Sequence, residues 1–524
     1  MVIYRPAVRI AIFAVVVIAC GSPDREPADP PPADRPAATP TPRPPVRKPP
    51  VGPISTIRGP DYIGPDACGE CHPTQHAAWR TSLHRRMNQL AGPDSIIGNF
   101  ATSVSYAGGV ATFAREGASY TMTLAKNTTT TRYRVTRTIG VRALQEYVGV
   151  DMADASAIEV RLPFAWWPKA KGWFAQPYFD PWLAREDDFD AYAPVKEPWA
   201  ERCPWCHSTY PFEQRIARAS TRSVGHGMEQ FFTSGGGTDR LAVEQQVTTG
   251  ISCESCHLGG KAHAEGAPIS FVPRGAEARP GAPVPTTFAQ ERADAAIVNR
   301  VCAQCHSGPS PRLADGTALR NSSEALDLAA SPCTSARCID CHDPHTGGGD
   351  EKRAIAACTR CHAQLADTAS QTAHAGHASQ SAVAGTASPT ATCLDCHMPK
   401  LVMGIDRVVR THRISSPTNP AIVASGGLNA CNLCHVDRSL QWTLDELRSR
   451  YEITLRASGG DRDQPMGERW LASKDAAVRL VAADALARSS IARLALPSLK
   501  KQLADPVPHI RAWARFAVDR VPLR

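Results

Sequence analysis

The chain has 524 residues, of which 43% are hydrophobic and only 6% aromatic, with a formal net charge of +8 at neutral pH. That length points to two or more folded units, and the apolar content allows a core. Its 18 cysteines follow no simple disulfide framework, so their spacing needs another explanation.

Residues 1–20 read as an export signal. Arg5 and Arg9 precede an apolar run from Ile10 to Ala19, which ends at Cys20 and Gly21. The run is too short to span a bilayer as a helix and suits a signal-peptide core. Val17-Ile18-Ala19-Cys20 resembles a bacterial lipoprotein cleavage box, which implies a lipid on Cys20; the alternative is an ordinary signal peptide cut near that cysteine. By resemblance again, Gly21 favours the outer membrane. Residues 21–60 are dense in proline (PADPPPADRP, TPRPPVRKPP) and predict a disordered polyproline II tether. At about 3.1 Å per residue it reaches on the order of 100 Å.

The segment 61–445 carries eight CxxCH motifs. They are Cys68 and Cys71 with His72, Cys203 and Cys206 with His207, Cys253 and Cys256 with His257, and Cys302 and Cys305 with His306. The series continues with Cys338 and Cys341 before His342, Cys358 and Cys361 before His362, Cys393 and Cys396 before His397, and Cys431 and Cys434 before His435. Two cysteines three positions apart leave one helical turn together, so both sulfurs reach the vinyl groups of one haem. The next residue turns beneath the ring and offers its imidazole to the iron. Zinc knuckles and iron–sulfur sites also use CxxC pairs, but neither demands histidine directly after the second cysteine. Eight covalent haems c are therefore expected. Their propionates add roughly −16, so the loaded protein is acidic and the basic polypeptide is no sign of nucleic-acid binding.

Nine histidines remain beyond the eight proximal ones. Setting aside His509 in the helical tail, the candidate distal ligands are His76, His84, His226, His263, His345, His374, His377 and His412. Eight candidates for eight irons suit bis-histidine coordination. His374 and His377 lie so close that one reads as spare, and His76 also reads as a surface residue four positions after His72. Cys333 is left over, and a packed free thiol is its plainest reading.

Between the motifs the pattern varies. Residues 100–140 (VATFARE, SYTMTLA, TRYRVTRTI) alternate β-branched and aromatic residues and predict a small antiparallel insertion. Residues 160–200 are crowded with Trp and Pro, expected to pack between haem-bearing segments. Elsewhere, short helices and loops should wrap the cofactors, giving a mainly α fold with little regular structure around stacked haems. Residues 366–392 are low in complexity. Residues 446–524 repeat Ala, Val and Leu at helical spacing and predict an α-helical cap resembling HEAT repeats, with Asp475 near one helix start.

Beyond the motifs, the phrases YIGPDACGECH with AAWRTSLH, LQEYVGV, WAERCPWCHSTY, GISCESCH, CIDCHDPH, CLDCHMPK and NACNLCHVDRS run from about Tyr62 to Ser439. They resemble the bacterial multihaem cytochromes related to the nitrification tetrahaem cytochrome, often joined to tetratricopeptide or HEAT repeats. The resemblance implies a mainly helical haem domain with bis-histidine haems in stacked pairs. Hydroxylamine oxidoreductase, pentahaem nitrite reductase and octahaem tetrathionate reductase stand further off. The chain has no CxxCK motif, the signature of the nitrite reductase active haem. The expected role is electron transfer with redox partner proteins on the periplasmic side of the envelope, lipid-anchored to a membrane. The alternative is a reductase or oxidase of a small nitrogen or sulfur compound, with one open haem.

Overall fold

In the computed structural model the described residues are 54–175, 190–193, 198–214, 243–275, 287–308, 310–377, 391–404, 407–458 and 460–521. Cys20, the proline-rich stretch up to residue 53, and His226 lie outside them.

The β-rich sequence folds as a seven-stranded antiparallel sheet: β1 (Asn88–Leu90), β2 (Ala101–Tyr106), β3 (Gly109–Glu116), β4 (Ser119–Lys126), β5 (Thr129–Ile139), β6 (Glu146–Asp151) and β7 (Glu159–Arg161). The order is β2-β3-β4-β5-β6-β7, with β1 on β5. The sheet therefore extends beyond the 100–140 segment on both sides. The reason is the length of β5: β4 covers its first half, leaving Arg137–Ile139 free on that side to pair with β1, while β6 takes the other side. The β2–β3 turn places Ala107 at φ 45° and Gly108 at φ 78°, the two left-handed positions that a tight hairpin turn demands.

Alternation sends Ala111, Phe113, Tyr120, Met122, Leu124 and Tyr133 to one buried face. A hairpin of β8 (Phe164–Trp167) and β9 (Gly172–Ala175) covers it, and Trp173 stacks on Phe113 with centroids 3.6 Å apart. These tryptophans pack; they line a core rather than a cleft.

The sheet is tied to the first three motifs through its β1 edge. Asn88 Nδ2 donates to Ser208 Oγ at 2.9 Å, directly after His207. The Ile251 N–H donates to the His84 carbonyl at 3.0 Å, and Trp79 Nε1 donates to the Ile251 carbonyl at 2.7 Å.

At the other end, the helices Leu440–Tyr451, Met466–Leu471, Ala476–Ala487, Ala492–Lys501 and Pro508–Arg520 share one apolar core with the strand Lys400–Met403. The helix Leu440–Tyr451 runs across position 445/446, so the core does not divide there. Trp167 of β8 lies against Phe516 of the last helix at 5.2 Å and 13°. Asp475 caps the third of these helices by accepting from the Ala477 N–H at 2.8 Å. Two nearly buried carboxylates brace the group: Asp505 accepts from Arg479, and Asp484 accepts from Arg488 and Arg520. No helix among the described residues is long and apolar enough to cross a membrane.

Between these two cores the chain is short helices and loops. From residue 332 to 377 none of the described residues is buried.

Candidate functional site

Each CxxCH motif sits on a short helical turn whose form is set by its own residues. In seven of the eight, the histidine N–H donates to the carbonyl of the first cysteine, as at His72 (2.9 Å), His306 (3.0 Å) and His435 (2.9 Å). This turn holds both sulfurs together and releases the histidine at its end. In motif two the Cys203 carbonyl accepts twice, from the Cys206 N–H at 3.3 Å and from the His207 N–H at 3.2 Å. Cys203 and Cys206 are both partly buried there, on the turn that Pro204 starts. A polar residue between the cysteines helps start the turn in three motifs. Asp340 and Asp395 reach back to the N–H groups of Arg337 and Thr392 at 2.8 Å, and the Asn432 N–H donates to Asn429 at 2.9 Å. Arg410 pairs with Asp395 at 2.9 Å, so that cap is fixed from outside as well.

Four proximal histidines face a second histidine. Ring centroids lie 6.1 Å apart for His72–His263, 6.1 Å for His342–His412, 6.2 Å for His374–His397 and 6.3 Å for His377–His435, with interplanar angles of 15°, 20°, 11° and 31°. These separations are too long for stacking. A metal bonded to one nitrogen of each ring at about 2.0–2.1 Å, with roughly 1.1 Å from nitrogen to ring centre, gives about 6.2 Å. In three pairs one ring is also anchored through Nδ1 to a carbonyl: His263 to Ala267 at 2.8 Å, His397 to Ser415 at 2.9 Å and His377 to Ala375 at 2.6 Å. That bond fixes the tautomer and leaves Nε2 for a metal. The residues present fit an iron with two imidazole ligands at these four places.

The other candidates divide. Half-buried His84 lies within electrostatic reach of His306, and His345 within reach of His257. Among the described residues no histidine ring lies against that of His76; its Nε2 is 3.4 Å from Asp66 and its ring lies against Trp79. Among the described residues no histidine ring is stacked or tilted against those of His207 or His362; His207 meets Trp199 edge-on at 5.8 Å. His226 lies outside the described residues. Cys333 is partly buried, and its carbonyl accepts from the Ala336 N–H at 3.1 Å.

Burial drives His207 and His257 down to about 4, aided in His207 by the Arg161 charge and in His257 by neighbouring histidines. Burial likewise lowers His84, His397, His412 and His435. All are therefore neutral at pH 7, the state with a lone pair for a metal. His306 differs. Its Nδ1 is 3.1 Å from Glu324 Oε2, and that hydrogen bond raises it to about 9. Burial alone would raise Glu324, but the bond and charge of His306 hold it down to about 2.

The motifs touch one another in an order that differs from a simple bead string. The Cys68 thiol is pushed well up by its contact with Cys253, linking motifs one and three. Cys302 is pushed well up by Cys338 and feels Cys256, linking motif four to five and to three. Cys358 feels Cys393 and Cys341, and Cys396 feels Cys431 and Cys434. Motif two joins from the side: Trp205 Nε1 donates to the Gln304 carbonyl at 3.0 Å, and Thr209 bonds Ser255 at 2.9 Å. The path is one–three–four–five–six–seven–eight, with two meeting three and four. A buried carboxylate pins the first junction: Glu254, inside motif three, accepts from the N–H groups of Ile63, Gly64 and Gly260 at 2.8–2.9 Å. Sequence reasoning missed both Glu254 and Glu324, because neither carries a signal without its partner.

No family model matches the chain, and no curated protein does. Among solved structures it is similar to the outer cell wall cytochrome OcwA, at 15% identity over 88% of this chain and 96% of that one, with a TM-score of 0.35. It is also similar to the octahaem sulfite reductase MccA of Wolinella succinogenes in form II, at 14% identity over 91% and 84%, with a TM-score of 0.32. At such scores the likeness is loose. The site itself is more telling: repeated CxxCH turns with paired histidines are the attachment and ligation pattern that covalently bound haems use.

Proposed function

We propose that the chain is an exported lipoprotein that passes electrons along eight covalent haems, each iron held by two histidines. The observation that carries this reading is the spacing of the four histidine pairs, which matches the separation of two rings that share one metal. Haem iron supplies reversible one-electron change when bound. The chain's own residues hold the attachment points along one path and offer both axial ligands at the four paired positions, so that substrate would find no place to bind there. Motifs one and eight stand at the two ends of that path, and these are the ends we expect redox partner proteins to meet.

The spin state tests it. Strong-field imidazole pairs make iron low spin, so oxidised protein should give only low-spin ferric resonance signals, unchanged by nitrite, hydroxylamine or sulfite. Absorption at the high-spin charge-transfer band checks for irons silenced by spin coupling. A high-spin iron that binds one of these anions would overturn the carrier reading. It would favour the second one, a reductase or oxidase with an open haem. Motifs two and six are where to look, since neither His207 nor His362 meets a second histidine ring among the described residues.

The anchor is tested separately. The N-terminal peptide of the mature protein should carry a diacylglycerol thioether on Cys20, and Cys20→Ser should move the protein from the membrane to the soluble fraction. Wild-type protein that is soluble, with a free thiol at that position, excludes the anchor. Which membrane holds it follows from the same fractionation, with the outer one expected.

A further inference from the structure

Four of the proximal histidines differ in what meets Nδ1, the nitrogen turned away from the metal. Among the described residues, the buried Nδ1 of His207 and of His257 has no hydrogen-bond partner. His397 Nδ1 meets the neutral Ser415 carbonyl at 2.9 Å. His306 Nδ1 meets a carboxylate oxygen of Glu324 at 3.1 Å. Glu324 is itself held on its other side, where Oε1 accepts from the Ser322 N–H at 2.8 Å. The next residue locks the backbone, with the Ala325 N–H donating to the His306 carbonyl at 3.0 Å. The carboxylate is thus built into place. Among the candidate distal ligands, His345 comes nearest to the same arrangement. There Asp343 Oδ1 is 3.5 Å away, beyond hydrogen-bond reach, and already accepts from the His345 N–H at 3.0 Å.

We infer that Glu324 is a positioning residue that makes His306 a stronger donor than His207, His257 or His397, so that its iron has the lowest reduction potential of the four. The inference rests on haem attachment at motif four, as proposed above. A carboxylate accepting from Nδ1–H draws that proton toward itself and gives the ring anionic character. A more basic ring stabilises ferric over ferrous iron, which lowers the potential. Motif four is also where the path branches, in contact with motifs two, three and five. The junction is therefore reduced last, and electrons rest on either side of it rather than on it.

The test is Glu324→Gln in the full-length, haem-loaded protein, with covalent haem counted by intact mass and potentials read by spectroelectrochemical titration. At the wild-type haem count, the most negative component should move to higher potential while the others stay. Glu324→Asp, which keeps the charge but withdraws it from His306, should move the same component the same way. Unmoved components at full haem count overturn the inference. So does loss of one haem in both variants, which would make Glu324 an attachment residue. Too few haems in the wild type would mark failure of the underlying reading instead.

Discussion

Protein made without haem attachment should be cut first between residues 332 and 377, while the sheet and the C-terminal helices resist. A folded segment is normally held by apolar side chains, each fully buried one contributing about 1.5–3 kcal/mol. The described residues from 332 to 377 have none, although they include the eleven-residue helix Glu351–Cys361 and two CxxCH motifs. Their packing partners are the haems themselves. Without these the segment has only hydrogen bonds and exposed ion pairs, such as Arg360–Asp340, which contribute little. The sheet keeps Phe113, Met122, Tyr147 and Trp173, and the C-terminal helices keep Leu480, Leu499, Ile510 and Trp513. Brief thermolysin digestion of protein expressed without haem maturation, mapped by mass spectrometry, reads the result. Haem-loaded protein should be resistant throughout that segment. First cuts inside 101–161 or 466–520, or equal resistance with and without haem, would show that the segment has a core of its own.

The same contrast explains what the sequence made legible. CxxCH is a local code: attachment and proximal ligation are complete within five residues, so all eight could be read directly. The strands at 101–139 announced themselves by alternation, but β6 and β7 did not. EYVGVD and EVR are too short to display a period; β6 is a strand because β5 needs a neighbour on its second side, and β7 because β6 then offers a free edge of its own. The candidate distal histidines could be named as a group but not paired, because His263 meets His72 only through the folded path.

His374 and His377 show the limit most clearly. Three residues apart, they looked redundant, yet they face different partners, His397 and His435. The helix Thr368–Ala375 ends between them, and Gly376 at φ 61° turns the chain. A Cβ there would lie 2.8 Å from Tyr451 Oη in addition to the backbone strain, so glycine is what lets two neighbouring histidines face two different partners. The Glu324–His306 bond has no sequence signal at all, since it joins a loop to a helix start.

Removing the haem of motif four should split fast reduction of the protein into two phases. Cys302→Ser with Cys305→Ser leaves seven motifs. Three of them, one to three, stay joined through Cys68–Cys253 and Thr209–Ser255. The other four, five to eight, stay joined through Cys358, Cys393, Cys396 and Cys431. Among the cysteines, the links between the two groups run through Cys302, which feels Cys256 on one side and Cys338 on the other; beyond them only His345, just after motif five, lies within electrostatic reach of His257 among the described histidines. In the intact protein, electrons entering at either end should equilibrate along the path, so stopped-flow reduction by a bulky donor gives one main phase. In the variant the two groups fill separately, with amplitudes near three to four. The control is Cys431→Ser with Cys434→Ser, which removes the terminal haem and also leaves seven, but on an unbroken path that should keep the single phase. Equal kinetics in the two variants would mean that electrons cross between the groups without motif four. The branch point inferred from the contacts of Cys302 and Trp205 would then be wrong, however many haems the chain carries.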